Sequence, residues 1–206
     1  MAKRKWFFAG VLVTLFVAGI VAGSKFIHAS RLNRPAYTLT SQAMQYDPDG
    51  TARSLYTETV YMSSGGNWHS IKTYATGAKL ETFATVGQGV FNRRNNDDKL
   101  NFLSTYESPR PILDANGFQA SANFLRVETV MGYPAFVMKA DNGPQVEFYC
   151  APVIGGANIK IVHRDATKTV VIEPTNLTFG EPDPSLIPMP SGLSINYDNF
   201  NKMHAQ

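Results

Sequence analysis

From Ala36 onward the chain alternates apolar and polar residues in short runs, each closed by turn-forming residues. A period of two is the mark of a strand with one half-buried face. "AYTLTSQAMQY" (36–46) ends at Asp47-Pro48-Asp49-Gly50, and "ARSLYTETVYMS" (52–63) ends at Ser63-Ser64-Gly65-Gly66-Asn67. "WHSIKTYA" (68–75) and "KLETFATV" (79–86) are split by Thr76-Gly77. "GVFNRR" (89–94) meets "KLNFLSTYE" (99–107) across Asn95-Asn96-Asp97-Asp98. After 123 the pattern resumes in "FLRVETV", "YPAFVMKA", "QVEFYCA", "NIKIVHR" and "KTVVIEPTNLTF". In "FLRVETV", Leu125 and Val127 point one way and Arg126 and Glu128 the other. The runs predict about eleven strands in an antiparallel meander. Between them, Pro109 and Pro111 exclude a strand interior, and Asp114 is placed to cap a short helix over 112–122.

A meander this long twists, and its edges are a liability unless it curls or closes. The fold class expected is mainly β: a strongly curved antiparallel sheet, a half-open barrel, of about eleven strands with one or a few short helices. A single N-terminal transmembrane helix precedes it. A curved sheet has a concave side that its own side chains or an apolar ligand must fill. The residues expected to line such a cavity are Leu80, Phe102, Leu125, Val127, Phe136, Met138, Val146, Phe148 and Ile161. Alternation assigns sides but does not say which side is concave.

The N-terminal pattern is different. Trp6 to Gly23 carries no charge and is about 18 residues long, within the roughly 17–25 of a membrane-spanning helix. Its apolar anchor residues are Trp6, Phe7, Phe8, Val11, Leu12, Val13, Leu15, Phe16, Val17, Ile20 and Val21. Lys3, Arg4 and Lys5 precede it, which orients the N-terminus toward the cytoplasm. The segment is expected to stay as an anchor; the other reading is cleavage after Gly23 or Ala29. Both place the body outside the cytoplasm, in the periplasm or beyond the cell, and the anchored form is a single-pass inner-membrane protein. Residues 1–34 thus form a cytoplasmic stub, anchor or uncleaved signal, and linker; 35–206 form the β domain.

Charge follows this division. Lys3, Arg4, Lys5, Lys25, Arg31 and Arg34 lie in 1–34 beside no acid, so that segment carries +6 and the body, with 13 basic and 16 acidic residues, carries −3, for the chain's net +3. A nucleic-acid-binding body needs a clustered positive face, so that partner is disfavoured. One cysteine, Cys150, makes no internal disulfide and sits in a strand as a small apolar core residue. His28, His69, His163 and His204 are scattered, with none at metal-ligand spacing. Asp47-Pro48-Asp49-Gly50 lacks the glycine a calcium loop needs, since Ala52 stands there. No catalytic residue, metal site or cofactor is assigned, and the chain is read as a non-enzyme.

The segment "TFGEPDPSLIPMPSGL" (178–193) breaks the strand rhythm with prolines yet keeps Leu186, Ile187, Met189 and Leu193. It reads as an extended strap, 180–193, laid across an open edge or cavity rim.

Three stretches together carry a resemblance: "VETVMGYPAFVMKADNGPQVEFYCAPVIGGANIKIVHRD", "VIEPTNLTFGEPDPSLIPMPSGL" and "GQGVFNRRNNDDKLNFLS". Over about residues 37–193 the chain resembles the bacterial periplasmic lipoprotein-carrier-like (LolA/LolB-like) superfamily. The resemblance implies a half-open sheet with helical or loop elements over its concave side and an apolar cavity that accepts acyl chains. It transfers no residue role by position. The expected function is therefore a membrane-anchored, extracytoplasmic, non-catalytic domain binding a lipid or an acylated, lipoprotein-like ligand. The other reading is an envelope sensor or structural interaction domain with a self-filled core and an envelope protein partner.

Overall fold

Strand β1 (Tyr37–Tyr46) buries every second residue: Tyr37, Leu39, Ser41, Ala43 and Gln45. It is the centre of a sheet that grows outward from both its edges, as seen in a computed structural model that describes residues 35–106, 123–140, 145–187, 191 and 193–197. To one side follow β2 (Ala52–Met62), β3 (Trp68–Tyr74), β4 (Lys79–Thr85), β5 (Gly89–Arg94) and β6 (Lys99–Ser104). To the other lie β11 (Thr169–Phe179), β10 (Ala157–Arg164), β9 (Gln145–Ala151), β8 (Tyr133–Lys139) and β7 (Phe124–Val130). All these neighbours are antiparallel.

Each turn does what its residues require. Gly50 closes the β1–β2 turn by donating its N–H to the Asp47 carbonyl at 3.0 Å, with a φ of 87° that a side chain resists. Asp49 and Asp47 serve that same turn: Asp49 Oδ1 accepts the Thr51 N–H and Asp47 Oδ1 accepts from Gln45 Nε2. Asn95 and Asn96 both take the left-handed region between β5 and β6, as a tight hairpin demands. Register shifts between β1 and both its neighbours, and between β5 and β6, β7 and β8, and β9 and β10, bend the sheet.

The described residues form a sheet of twelve strands, one more than the alternation predicts. β12 (Ser194–Asn196) pairs with β6 and is parallel to it. It is only three residues long and reaches β6 from about ninety positions away in sequence, so no local period announces it. Among the described residues the sheet is open, ending in β7 on one side and β12 on the other. Among the described residues the only helical pieces are two 3₁₀ turns, Pro152–Ile154 and Pro184–Leu186. The helix expected over 112–122 and the transmembrane segment lie outside the described residues. Among the described residues no helix is long and apolar enough to cross a membrane.

Three apolar clusters hold the sheet. The largest joins Tyr37 and Leu39 of β1 to Ala135, Val137, Tyr149, Ala151, Ile154, Ile159 and Val162. Phe83, Phe91, Leu100 and Phe102 form the second, on β4–β6. Phe136, Met138 and Cys150 form the third, with Phe124 and Phe148 packed against it. Backbone approach is tightest at Gly89, where an added Cβ would lie 2.6 Å from Phe102 Cε2 and 2.8 Å from the Ser104 carbonyl oxygen. Glycine there lets the β5 and β6 backbones close over the aromatic cluster.

Candidate functional site

Register lines up the third cluster as two rungs across β7–β10. The first runs Phe124, Met138, Phe148, Ile161; the second runs Val127, Phe136, Cys150, Asn158. Directly opposed residues share a side of a sheet, so the two rungs form one patch, apolar except at the exposed Asn158. Val146, opposite His163, continues it. Six of the nine residues expected to line a cavity are therefore together: Val127, Phe136, Met138, Val146, Phe148 and Ile161.

The remaining three are elsewhere. Leu125 is the extra residue of the β7 bulge, and it is 45% exposed. Leu80 lies on β4 between Lys72 and Arg94. Phe102 belongs to the separate β4–β6 cluster. Phe124, absent from the expected set, joins the patch, its ring centroid 6.2 Å from that of Phe136. The bulge at Leu125 is the reason: it reverses the alternation, so Phe124 shares a side with Val127 instead of with Arg126.

The patch is apolar but not closed. Phe136 and Met138 are buried, Phe148, Val146 and Ile161 are half-buried, and Val127 is 49% exposed. Burial pushes the Cys150 thiol up to about 11, and its Sγ–H donates to Asn158 Oδ1 at 3.3 Å. A neutral thiol in this position is a lining atom and not a nucleophile. The opposite side of the β7 edge is ionic. Arg126 bonds Glu128 at 2.5 Å and Glu147 at 3.1 Å, and Arg164 reaches Glu147 at 3.2 Å. Burial works to raise the Glu147 carboxyl, but Arg126, Arg164 and the Tyr149 hydroxyl together hold it below its usual value. On β7 one side thus carries Arg126 and Glu128 and the other Phe124 and Val127, while on β8–β10 the side away from the patch carries Ala135, Val137, Tyr149 and Val162 of the largest cluster.

The second apolar region is roofed by the proline-rich segment. Glu181 accepts the Ser64 N–H at 3.1 Å, and Asp183 caps the Pro184–Leu186 turn through the Ser185 N–H. The Leu186 carbonyl accepts from His69 Nδ1 at 2.6 Å, on β3. A carbonyl oxygen only accepts, so Nδ1 carries the proton. Leu193 then packs on the Phe83, Phe91, Leu100 and Phe102 cluster, and Tyr197 comes within 5.2 Å of the Phe102 ring. A groove of about 780 Å3 runs between this segment (Glu181–Pro184, Ile187) and Ser63, Asn67, Thr85 and Gln88.

Beneath it, the His69 ring stacks on Phe83 at 4.2 Å, and Glu81 binds Arg93 at 2.5 Å. His69 Nε2 is 3.5 Å from Glu81 Oε1, too far for a hydrogen bond, and is buried without a hydrogen-bond partner. Burial holds the His69 pKa below its ordinary value, against the opposing pull of Leu186 and Glu81. No sequence signal pointed to this arrangement, because it joins residues more than a hundred positions apart. Among the described residues no group of three or more His, Cys, Asp or Glu side chains is placed to hold a metal ion.

No family model and no curated protein matches the sequence. Solved structures similar to it include a LolA superfamily protein from Nitrosomonas europaea, with a TM-score of 0.41 and 9% identity over 81% of this chain and 97% of that one. The MucA/MucB complex of Pseudomonas aeruginosa gives a TM-score of 0.35 and 13% identity, covering 84% of this chain and 61% of that one. A putative outer membrane lipoprotein-sorting protein domain from Vibrio parahaemolyticus gives 0.34 and 11% identity, over 88% of this chain and 96% of that one.

Proposed function

We propose that the protein is a non-catalytic envelope module that holds the acyl chain of a lipid or lipoprotein against the apolar side of β7–β10. In this reading Trp6–Gly23 anchors it in the inner membrane with the N-terminus inside, and the β domain works outside the cytoplasm. The observation that carries the proposal is the pair of apolar rungs, uncharged along their length and half-open at Val127. Each methylene transferred onto such a patch is worth about 0.8 kcal/mol, so a long chain binds without any directed polar contact. The neutral Cys150 thiol and the ionic groups turned to the other side keep the patch free of chemistry.

The test is to extract the purified full chain with organic solvent, identify any lipid by mass spectrometry, and titrate the protein with a fluorescent fatty acid. Displaceable probe binding that Phe148→Asp abolishes is the expected result. A lipid-free protein that takes up no probe overturns the proposal. The alternative, a self-filled interaction domain, is favoured only on β4–β6, where Leu193 already covers the cluster.

A further inference from the structure

Strand β7 ends the sheet: β8 pairs with one of its edges, and among the described residues no strand lies along the other. The β7–β8 hairpin tells which backbone groups face outward. Val130 and Tyr133 flank the two-residue turn Met131-Gly132, whose φ values of 51° and 82° are both positive. In such a turn the flanking pair exchanges both hydrogen bonds. Alternation then assigns the bonds toward β8 to Val130, Glu128 and Arg126, and turns the N–H and C=O of Thr129 and Val127 outward.

The side chains on this edge are complementary to themselves. Laid antiparallel on a second copy and centred on Val127, the strand sets Arg126 opposite Glu128, Glu128 opposite Arg126, and Leu125 opposite Thr129. We propose that β7 is a self-association surface: two copies pair through residues 125–129 about a two-fold axis at Val127. The outward N–H and C=O of Val127 exchange bonds with the same residue of the second copy. The Arg126–Glu128 pairs fall at the closely spaced non-hydrogen-bonded positions, where cross-strand charges interact best.

Burial and charge agree with this geometry. Leu125 is 45% and Val127 49% exposed, and pairing covers both. Arg126 already bonds Glu128 and Glu147 of its own chain, so an approaching Glu128 extends an ionic network and leaves no charge unpaired. The bulge at Leu125 ends the regular edge, which keeps the contact to about five residues per copy. That is far below the roughly 1,600 Å2 of a standard stable interface, so the dimer is weak and depends on concentration.

The experiment measures the mass of the full chain in detergent micelles over a rising concentration series, for the wild type, Arg126→Glu and Glu128→Arg. The wild type should pass from one chain to two. Each single variant sets like charges across the axis and should need at least about tenfold more protein to associate. An equimolar mixture of the two variants, carrying different tags, should recover a mixed dimer, because an all-acidic strand then meets an all-basic one. That recovery also shows that both variants are folded. The proposal is overturned if the wild type stays a single chain throughout, if either variant associates like the wild type, or if the mixture gives no mixed dimer.

Discussion

On β4–β6 the aromatic cluster is sealed: Phe83, Phe91, Leu100 and Phe102 are between 1% and 6% exposed. On β7–β10 the patch of similar composition grades from Phe136 at 7% to Val127 at 49%. Both are apolar ladders on antiparallel strands, so the difference does not come from strand chemistry. Among the described residues it comes from the cover on β4–β6. The chain leaves β11, spans the β2–β6 side, drops Leu193 onto the cluster and adds β12 to the edge. A sheet side that the chain fills for itself contributes stability, whereas one left half-open is available for a ligand or a second copy.

The sharpest way to break this contrast is to remove the cover. Ending the chain after Gly180 deletes β12, the Leu193 contact, the Tyr197 contact and the acceptor of His69. Exposing an aromatic cluster of this size should cost about 5 kcal/mol. The melting temperature, followed by circular dichroism, should fall by about 10–20 °C for a chain of this length. An unchanged melting temperature would show the cluster to be stable without its roof.

Single substitutions then separate the two regions. Phe91→Ala opens a void in a sealed cluster and should cost about 3 kcal/mol, while Phe148→Ala trims a half-buried ring and should cost about 1 kcal/mol. Binding of a fluorescent fatty acid should move the other way, with Phe148→Ala weakening it several-fold and Phe91→Ala leaving it unchanged. Equal stability losses, measured by urea denaturation, would erase the distinction.

Much of this was legible in the sequence because alternation is local. Every strand from β1 to β11 coincides with a predicted run, since Asn, Asp and Gly mark the turns where the backbone needs them. What period two could not show is anything that breaks parity or acts at a distance. Phe124 was hidden by one extra residue, Leu125, which puts it on the other side from its apparent partners. Phe102 and Phe136 have the same local pattern, yet they pack in separate clusters because strand order, not alternation, decides which rungs meet. β12 and the His69–Leu186 bond depend on a long return of the chain, which carries no periodic signal.

The smallest effect predicted concerns the bond that pins the cover. His69 faces the Leu186 carbonyl from the strap, Glu81 and Phe83 from β4, Arg93 from β5 and Tyr61 from β2. Burial lowers its folded pKa below the ordinary 6.5, so the unfolded chain takes up the proton first. The stability it lends is therefore complete above about pH 6.5 and is lost as the pH falls toward the folded value. Below that pH the melting temperature should drop by a few degrees more in the wild type than in His69→Gln, whose amide donates to Leu186 without titrating. The loss should vanish in the chain that ends at Gly180, because without the cover the ring is no longer buried and its pKa returns toward the ordinary value. If the wild type and His69→Gln follow the same pH curve, burial of the imidazole does not couple its protonation to folding.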